Sequence, residues 1–179
     1  MMSLPTPAVF TLMLCMVSSR VAIAADAAES EKDRAQVAMR APFTLTLHVD
    51  REHYYEENIG EMPYVYQGGI YLMKGDHFGV SVTIREHKIT GIAYQPDLNK
   101  ADVTFEFSQK VDSDRSAMMM LIIRNRTSHQ LNMRALMTVP GEKGTIETSI
   151  IPIQAGLTNF ESWPHAIVKL LLHDLSVGT

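Results

Sequence analysis

Histidine and carboxylate side chains cluster between residues 48 and 57 of this 179-residue chain, in the segment HVDREHYYEE. Residues two apart on a strand point to the same face, so His48 and Asp50 are predicted to share one. His53, Glu56 and Glu57 follow in a polar connection. Imidazole and carboxylate groups together form ligand sets for Zn²⁺, Ni²⁺ or Cu²⁺. One hypothesis is therefore a metal site at His48, Asp50, His53, Glu56 and Glu57, and the alternative is a polar strand end that runs into a solvated acidic loop.

Other residues with ligand chemistry have a simpler interpretation. Eight methionines follow position 24, but most occupy apolar strand positions, where methionine is an adaptable core residue. Asp97, Asn99 and Asp102 carry oxygen atoms, yet they lack the late bidentate glutamate of a calcium loop and are predicted to form a turn. His77 and His87 are likewise predicted to be turn residues. The sequence therefore predicts no bound cofactor.

Catalytic patterns are weak in this chain. Ser81, Ser108 and Ser149 lie in strand contexts without the sharp turn of a nucleophile elbow. No pair of carboxylates has a spacing that requires a general acid–base role. Cys15 is the one cysteine. The sequence thus favours a protein that is not an enzyme.

The first 24 residues have the pattern of a cleavable signal peptide. The run from Ala8 to Val17 is almost entirely apolar, and Ala22-Ile23-Ala24 supplies the small residues of a cleavage site. The run is about ten residues long and is too short to cross a bilayer as a helix. The alternatives are an N-terminal anchor and a wrongly assigned start of the chain. Export into a bacterial periplasm, or secretion, also fits a domain that has no cysteine once Cys15 is removed.

Net charge and hydropathy limit the classes of partner that the chain is expected to bind. The formal net charge is −4, and it becomes −5 after removal of residues 1–24 because Arg20 is their only charged residue. No basic patch is present, so nucleic acid is not an expected partner. No other apolar stretch approaches transmembrane length. We expect residues 25–41 to be a flexible polar leader and residues 42–179 to form a single domain.

The clearest structural pattern is the alternation from Phe78 to Tyr94. Phe78, Val80, Val82 and Ile84 alternate with small, hydroxylic or charged residues, and a second run follows a short polar break. This pattern predicts a β-hairpin. The same alternation recurs in segments beginning at residues 43, 103, 131 and 145, and the run MMMLII at 118–123 is typical of a central strand.

The pattern of residues 167–175 fits either a closing strand or an amphipathic helix, and the strand is preferred because the segments before it are all predicted strands. Eight or nine short strands at this spacing predict an all-β fold. We expect an antiparallel β-sandwich of immunoglobulin-like type, and an open barrel is the alternative. Phe160 to His165 forms either an aromatic contact surface or, as preferred, a plug at the end of the sandwich.

Together these observations predict an exported, non-enzymatic binding or accessory module that docks a protein partner. The alternative function is a periplasmic metal-binding protein that uses the cluster near residues 48–57. The strand from Phe43 to Asp50 follows the predicted leader and is the expected pairing edge, either for a second copy or for another exported protein. The competing interpretation is an ordinary edge that the acidic segment Glu52 to Glu61 already covers.

Overall fold

The computed structural model describes residues 37–112 and 117–178, and all of their regular elements are β-strands. The strands are β1 (Met39–Arg40), β2 (Phe43–His48), β3 (Tyr54–Ile59), β4 (Met62–Pro63), β5 (Val65–Tyr66), β6 (Gly69–Leu72), β7 (Asp76–Arg85), β8 (Lys88–Gln95), β9 (Val103–Val111), β10 (Ala117–Asn125), β11 (Leu131–Thr138), β12 (Ile146–Ser149), β13 (Thr158–Trp163) and β14 (Lys169–Val177). The described residues include no helix. The prediction of an all-β fold is therefore confirmed, and so is the strand preferred for the tail.

Two five-stranded antiparallel sheets form the sandwich. The first sheet has the order β13-β10-β9-β7-β8, and the second has the order β12-β11-β14-β6-β5. Two short ribbons, β1-β4 and β2-β3, accompany them. The coarse prediction of an antiparallel sandwich is confirmed, whereas the immunoglobulin-like arrangement stays a prediction.

The inner face of the first sheet follows from period-two alternation. In β9 the side chains of Val103, Phe105 and Phe107 are fully buried, and the residues between them are half-buried. In β10 the buried set is Met119, Leu121 and Ile123. Because β10 lies between β9 and β13, the MMMLII run does form a central strand, as predicted. Its other face, however, is partly open to solvent, since Met118 is 38% exposed.

The second sheet supplies the opposite wall of the core. Leu131, Ala135, Leu170 and Leu172 are fully buried on β11 and β14, two strands that pair along most of their length. These side chains pack with those of the first sheet in one apolar cluster. Burial of apolar surface in such a cluster is the main favourable contribution to folding.

Two tight turns have left-handed backbone conformations at both of their central residues. The β5–β6 turn places Gln67 and Gly68 at φ 48° and 76°, and the β7–β8 turn places Glu86 and His87 at φ 48° and 60°. Positive φ at both central residues of a two-residue loop matches the right-handed twist of a hairpin. His87 is thus a turn residue, as predicted. His77 lies instead on β7, where it is exposed.

The β1-β4 ribbon joins the sandwich through Arg40. The guanidinium group donates to the Asp76 carboxylate at 2.5 and 3.1 Å and to the Tyr71 carbonyl at 3.1 Å. It also lies 4.3 Å from the ring centre of Tyr64. Arg40 is 6% exposed, and a buried charge of this kind needs such partners. The end of the predicted flexible leader, residues 25–41, therefore includes a strand and a buried ion pair.

The aromatic segment from Phe160 to His165 has one residue that agrees with the predicted plug and one that agrees with an aromatic contact surface. Trp163 is 7% exposed, contacts Phe107 edge-on and donates from Nε1 to Thr148 Oγ1 at 3.1 Å, which agrees with the predicted plug. Phe160 is 62% exposed on the outer face of the same strand. The predicted signal peptide, residues 1–24, lies outside the described residues. Within the described ranges, no helix is long and apolar enough to cross a membrane.

Candidate functional site

The five residues of the hypothetical metal site lie on β2, on β3 and in the connection between them. His48, at the end of β2, packs its ring against Tyr54 with 4.4 Å between ring centres. Glu57 accepts a hydrogen bond from the Tyr55 hydroxyl, which raises the pKa of Tyr55. No group of three or more His, Cys, Asp or Glu residues that could hold a metal ion occurs among residues 37–112 and 117–178. The structure therefore does not assemble the predicted ligand set.

Asp50 instead organises the β2–β3 connection. Its Oδ1 accepts hydrogen bonds from the backbone N–H groups of Glu52 and His53 at 2.8 and 2.9 Å, and its carboxylate contacts His53 Nδ1 at 2.8 Å. These bonds stabilise the charged form, so the pKa of Asp50 is lowered from 3.8, with the Glu52 backbone as the largest cause. Aspartate side chains commonly close turns in this way.

The Asp97–Asp102 segment also forms a turn. Asp97 Oδ1 accepts from the backbone N–H of Asn99 at 3.0 Å, and Lys100 donates its backbone N–H to the Asp97 carbonyl at 3.0 Å. Asp102 is turned toward β7, where its Oδ2 accepts from the backbone N–H of Val82 at 2.8 Å. The predicted turn role is therefore confirmed.

The predicted pairing edge, β2, is occupied on one side by β3. Val49 donates to the His53 carbonyl at 2.9 Å, and the register continues from His48–Tyr54 to Phe43–Ile59. This is the acidic segment that the competing interpretation placed there. In an antiparallel ladder every second residue bonds to the partner strand. The backbone groups of Thr44, Thr46 and His48 therefore point to the other side.

Side chains cover much of that other side. Gln109 of β9 donates from Nε2 to the His48 carbonyl and accepts from the His48 N–H at Oε1, both at 2.9 Å. Lys74 donates from Nζ to the Thr46 carbonyl at 2.7 Å. A strand added along Phe43–Asp50 would have to displace these bonds, so β2 is a poor pairing edge.

A larger opening lies where the free edges of the two sheets approach each other. We call it the edge cleft; its volume is about 610 Å³. One wall is residues 89–92 of β8, an end strand of the first sheet. The other wall is the β5–β6 turn, residues 66–69, together with residues 173–175 of β14. This volume is typical of ligand sites in proteins.

The start of β6 at Gly69, just after the β5–β6 turn, shapes the second wall. β14 pairs with β6 at Leu170, Leu171 and Leu172, and beyond them His173, Ser176 and Val177 pair with β11 while Asp174 and Leu175 form a bulge. β14 nevertheless continues to Val177. Backbone groups on its β6 side therefore have no strand partner beyond Leu172. An unpaired strand edge presents N–H and C=O groups that another chain can use.

Two β-bulges shape the walls. β8 has a bulge opposite Thr83 and Ile84 of β7, where Thr90 is the extra residue and Ile89 and Ile92 both pack toward the core. In β14 a shift opposite Asn132 and Arg134 coincides with Asp174 at φ 53°. Bulges bend a strand, and they are frequent beside functional sites. Here they bring half-buried apolar residues to the cleft from both sheets.

Polar groups lie at the β14 end of the cleft. His173 Nδ1 is 3.1 Å from Asp174 Oδ2, and His173 Nε2 is shielded from solvent without a hydrogen-bond partner among the described residues. Arg134, whose pKa is raised mainly by its hydrogen bond to Glu147, lies 3.6 Å from Asp174. An unsatisfied buried polar atom is uncommon in folded proteins and calls for a partner. The lining of the cleft is thus mixed, with polar and apolar groups in similar amounts.

Reasoning from sequence placed no site at these residues. The position of the β5–β6 turn opposite β8 depends on contacts between strands far apart in the chain. Gly69 was the available signal: an added Cβ would lie 2.9 Å from Leu171 Cδ1 and 3.3 Å from the Tyr66 carbonyl oxygen, so this strand position favours glycine.

Comparison with known proteins does not extend this picture. No protein-family model, no curated protein and no solved structure matches the chain. The function must therefore be argued from the geometry of the chain itself.

Proposed function

We propose that the protein is an exported, non-enzymatic binding module that accepts an extended segment of a partner protein in the edge cleft. The observation that carries this proposal is the course of β14, which continues to Val177 although β6 leaves it after Leu172. Strand addition to a free sheet edge is a recurring mode of peptide recognition. Main-chain hydrogen bonds would provide affinity.

The walls of the cleft indicate the chemistry of the accepted segment. Ile89, Ile92 and Leu175 are half-buried apolar residues that pack against the core while lining the cleft. Side chains of an extended segment alternate between two faces. Apolar residues at every second position would therefore contact these walls, and a hydrogen-bonding side chain would meet His173 and Asp174 at the polar end.

The proposal places the module in the periplasm or outside the cell. Its support is the apolar run from Ala8 to Val17, followed by the small residues Ala22-Ile23-Ala24. N-terminal sequencing of protein from its native host should give a first residue near Ala25. A soluble species that retains Met1 would contradict export. We also propose that the sandwich is immunoglobulin-like, and the two antiparallel sheets support this.

Site-specific photocrosslinking tests the location of binding. A photoreactive amino acid replaces Thr90, which is exposed in the β8 bulge, and in a matched control it replaces Glu142, which is exposed in the β11–β12 turn. We expect extract from the native compartment to yield a crosslink at position 90 to an extended, alternating apolar segment, and none at position 142. The Thr90→Trp variant, which fills the cleft, should abolish capture, whereas Glu142→Trp should not. Equal crosslinking at both positions would contradict the proposal.

A further inference from the structure

The outer face of the first sheet is partly apolar, and the charged residues Glu106, Lys110 and Arg124 lie beside its apolar part. An apolar stripe crosses it on β10 and β13, formed by Met118, Met120, Ile122 and Phe160, of which Met118 is 38% and Phe160 is 62% exposed. Small side chains surround the stripe at Thr104, Ser108 and Ser162. Exposed apolar patches of this kind mark interaction surfaces more often than isolated apolar residues do.

Two charged residues flank the stripe on the neighbouring strand. Glu106 and Lys110 both point outward from β9, and Ser108 lies midway between them. They are four residues apart along an extended strand, which separates them by roughly 13 Å. That distance is too long for an ion pair within one chain, and neither residue has an ion-pair partner in the described part of the chain.

This arrangement is complementary to itself. The register places Ser108, Met120 and Ser162 in one row across the three strands. A two-fold axis along that row, perpendicular to the strands, would place a second copy face to face with antiparallel strands. Glu106 of each copy would then lie over Lys110 of the other, Met120 would meet its own equivalent, and Ile122 would pack on Met118. A contact that uses the same patch on both copies is the commonest form of closed oligomer.

The area that the two copies share is small. β9 and β10, with nine residues each, lie on both sides of the row, and β13 lies beside them. β7 pairs with β9 only from Val103 to Phe107, so β7 and β8 lie on one side of the axis. At ~3.3 Å per residue and ~4.8 Å per strand, β9, β10 and β13 cover on the order of 400 Å² per copy. Two copies together would bury about 800 Å², which is the size of a weak, transient interface. We propose that the outer face of the first sheet is a homodimer interface with its two-fold axis over Met120.

The dimer would leave the edge cleft accessible, since the cleft is lined by β8, β14 and the β5–β6 turn, and the stripe lies on β10 and β13. Each dimer would then present two clefts. Binding of two linked segments can exceed the affinity of one when both sites are reached together. The dimer proposal nevertheless does not depend on the cleft binding any segment.

A charge exchange tests the interface and its register. Sedimentation equilibrium should show a dimer for the wild-type chain. Glu106→Lys and Lys110→Glu, each made alone, should raise the dimer dissociation constant at least about tenfold, because each creates two pairs of like charge. The combined variant Glu106→Lys/Lys110→Glu should restore it to within about threefold of wild type. Glu142→Lys changes the charge as Glu106→Lys does, but in a turn outside the face. It should therefore leave the dimer dissociation constant unchanged.

Substitution on the axis gives an independent check. Met120→Glu would place two carboxylates against each other and should yield a monomer whose circular dichroism spectrum and melting temperature remain those of a folded chain. A wild-type chain that stays monomeric at about 1 mM would overturn the proposal, since even a weak, transient interface of this size should associate at that concentration. So would a dimer that tolerates Met120→Glu, or a combined variant that does not recover. Capture of a cleft segment would be unaffected in these variants, so failure of the dimer is distinguishable from failure of the proposed function.

Discussion

Gln109 satisfies both outward backbone groups of His48, accepting from its N–H and donating to its carbonyl at 2.9 Å each. The side-chain amide of β9 thus takes the place of a paired strand at the end of β2. This relationship joins the β2-β3 ribbon to the first sheet across 61 residues of sequence.

Replacement of Gln109 should therefore loosen the ribbon. Gln109→Leu keeps the size of the side chain but leaves a half-buried N–H and a C=O without partners. We expect a loss of about 1–3 kcal/mol in the free energy of unfolding, measured by urea denaturation. Gln109→Glu can still accept but can no longer donate, so it should cost stability as well. An unchanged midpoint for Gln109→Leu would show that water satisfies these groups equally well.

A pair of proline variants tests the hydrogen-bond pattern of β2. The Leu45 N–H points toward β3 and the Thr46 N–H points away, as follows from the bond between Val49 and His53. Leu45→Pro removes a ladder bond and should lower the thermal midpoint clearly, whereas Thr46→Pro should leave the chain folded with a small loss. If β2 is not the partner edge, Thr46→Pro should also retain any partner that the wild type captures. If a folded Thr46→Pro variant loses the partner, β2 is the pairing edge that the sequence predicts.

The core prediction concerns Phe105, whose side chain is fully buried between the two sheets. Phe105→Ala should cost roughly 3–5 kcal/mol, because the variant loses transfer free energy and leaves a cavity. Leu157 is 57% exposed and serves as the control, since Leu157→Ala should change stability by less than about 0.5 kcal/mol. A loss below about 1 kcal/mol for Phe105→Ala would contradict the packing described here.

Metal binding at the β2–β3 connection should be absent or weak. Asp50 and His53 face each other, but His48 stacks on Tyr54 and Glu57 bonds Tyr55, so the ligands point in different directions. Calorimetric titration with Zn²⁺ should show no micromolar site, and the double variant His48→Ala/His53→Ala should behave as the wild type. Tight binding that this double variant loses would restore the metal hypothesis.

Alternation of side chains predicted the strands that bury one face. β2, β7, β9 and β11 follow period-two patterns, whereas β10 and β14 contain short continuous apolar runs; the inward residues of all six strands are buried because they line the core. The sequence predicts a polar connection where the structure has β3. Its sequence Tyr-Tyr-Glu-Glu-Asn-Ile does not alternate, since only Ile59 is buried and its pairing with β2 rests on backbone bonds.

The edge cleft could not be predicted because it depends on where strands end. Its shape depends on the pairing of β6 with β14, which extends over only three residues of each strand. It also depends on the bulges at Thr90 and Asp174. Such features follow from long-range contacts, and neither periodicity nor residue type reports them. The sequence did indicate the β7–β8 hairpin, so one element of the cleft is expected, although not its position beside β14.

Amide hydrogen exchange tests the central claim most directly. The segment recovered by crosslinking at position 90 is added as a synthetic peptide, and exchange is followed along the whole chain. We expect exchange at Asp174–Val177 of β14 and Lys88–Ile92 of β8 to slow by at least about tenfold, since pairing protects backbone N–H groups. Amides of β3 should be unaffected and serve as the internal control. A bound peptide that leaves β8 and β14 unprotected, or protects β3 instead, would contradict binding in the edge cleft.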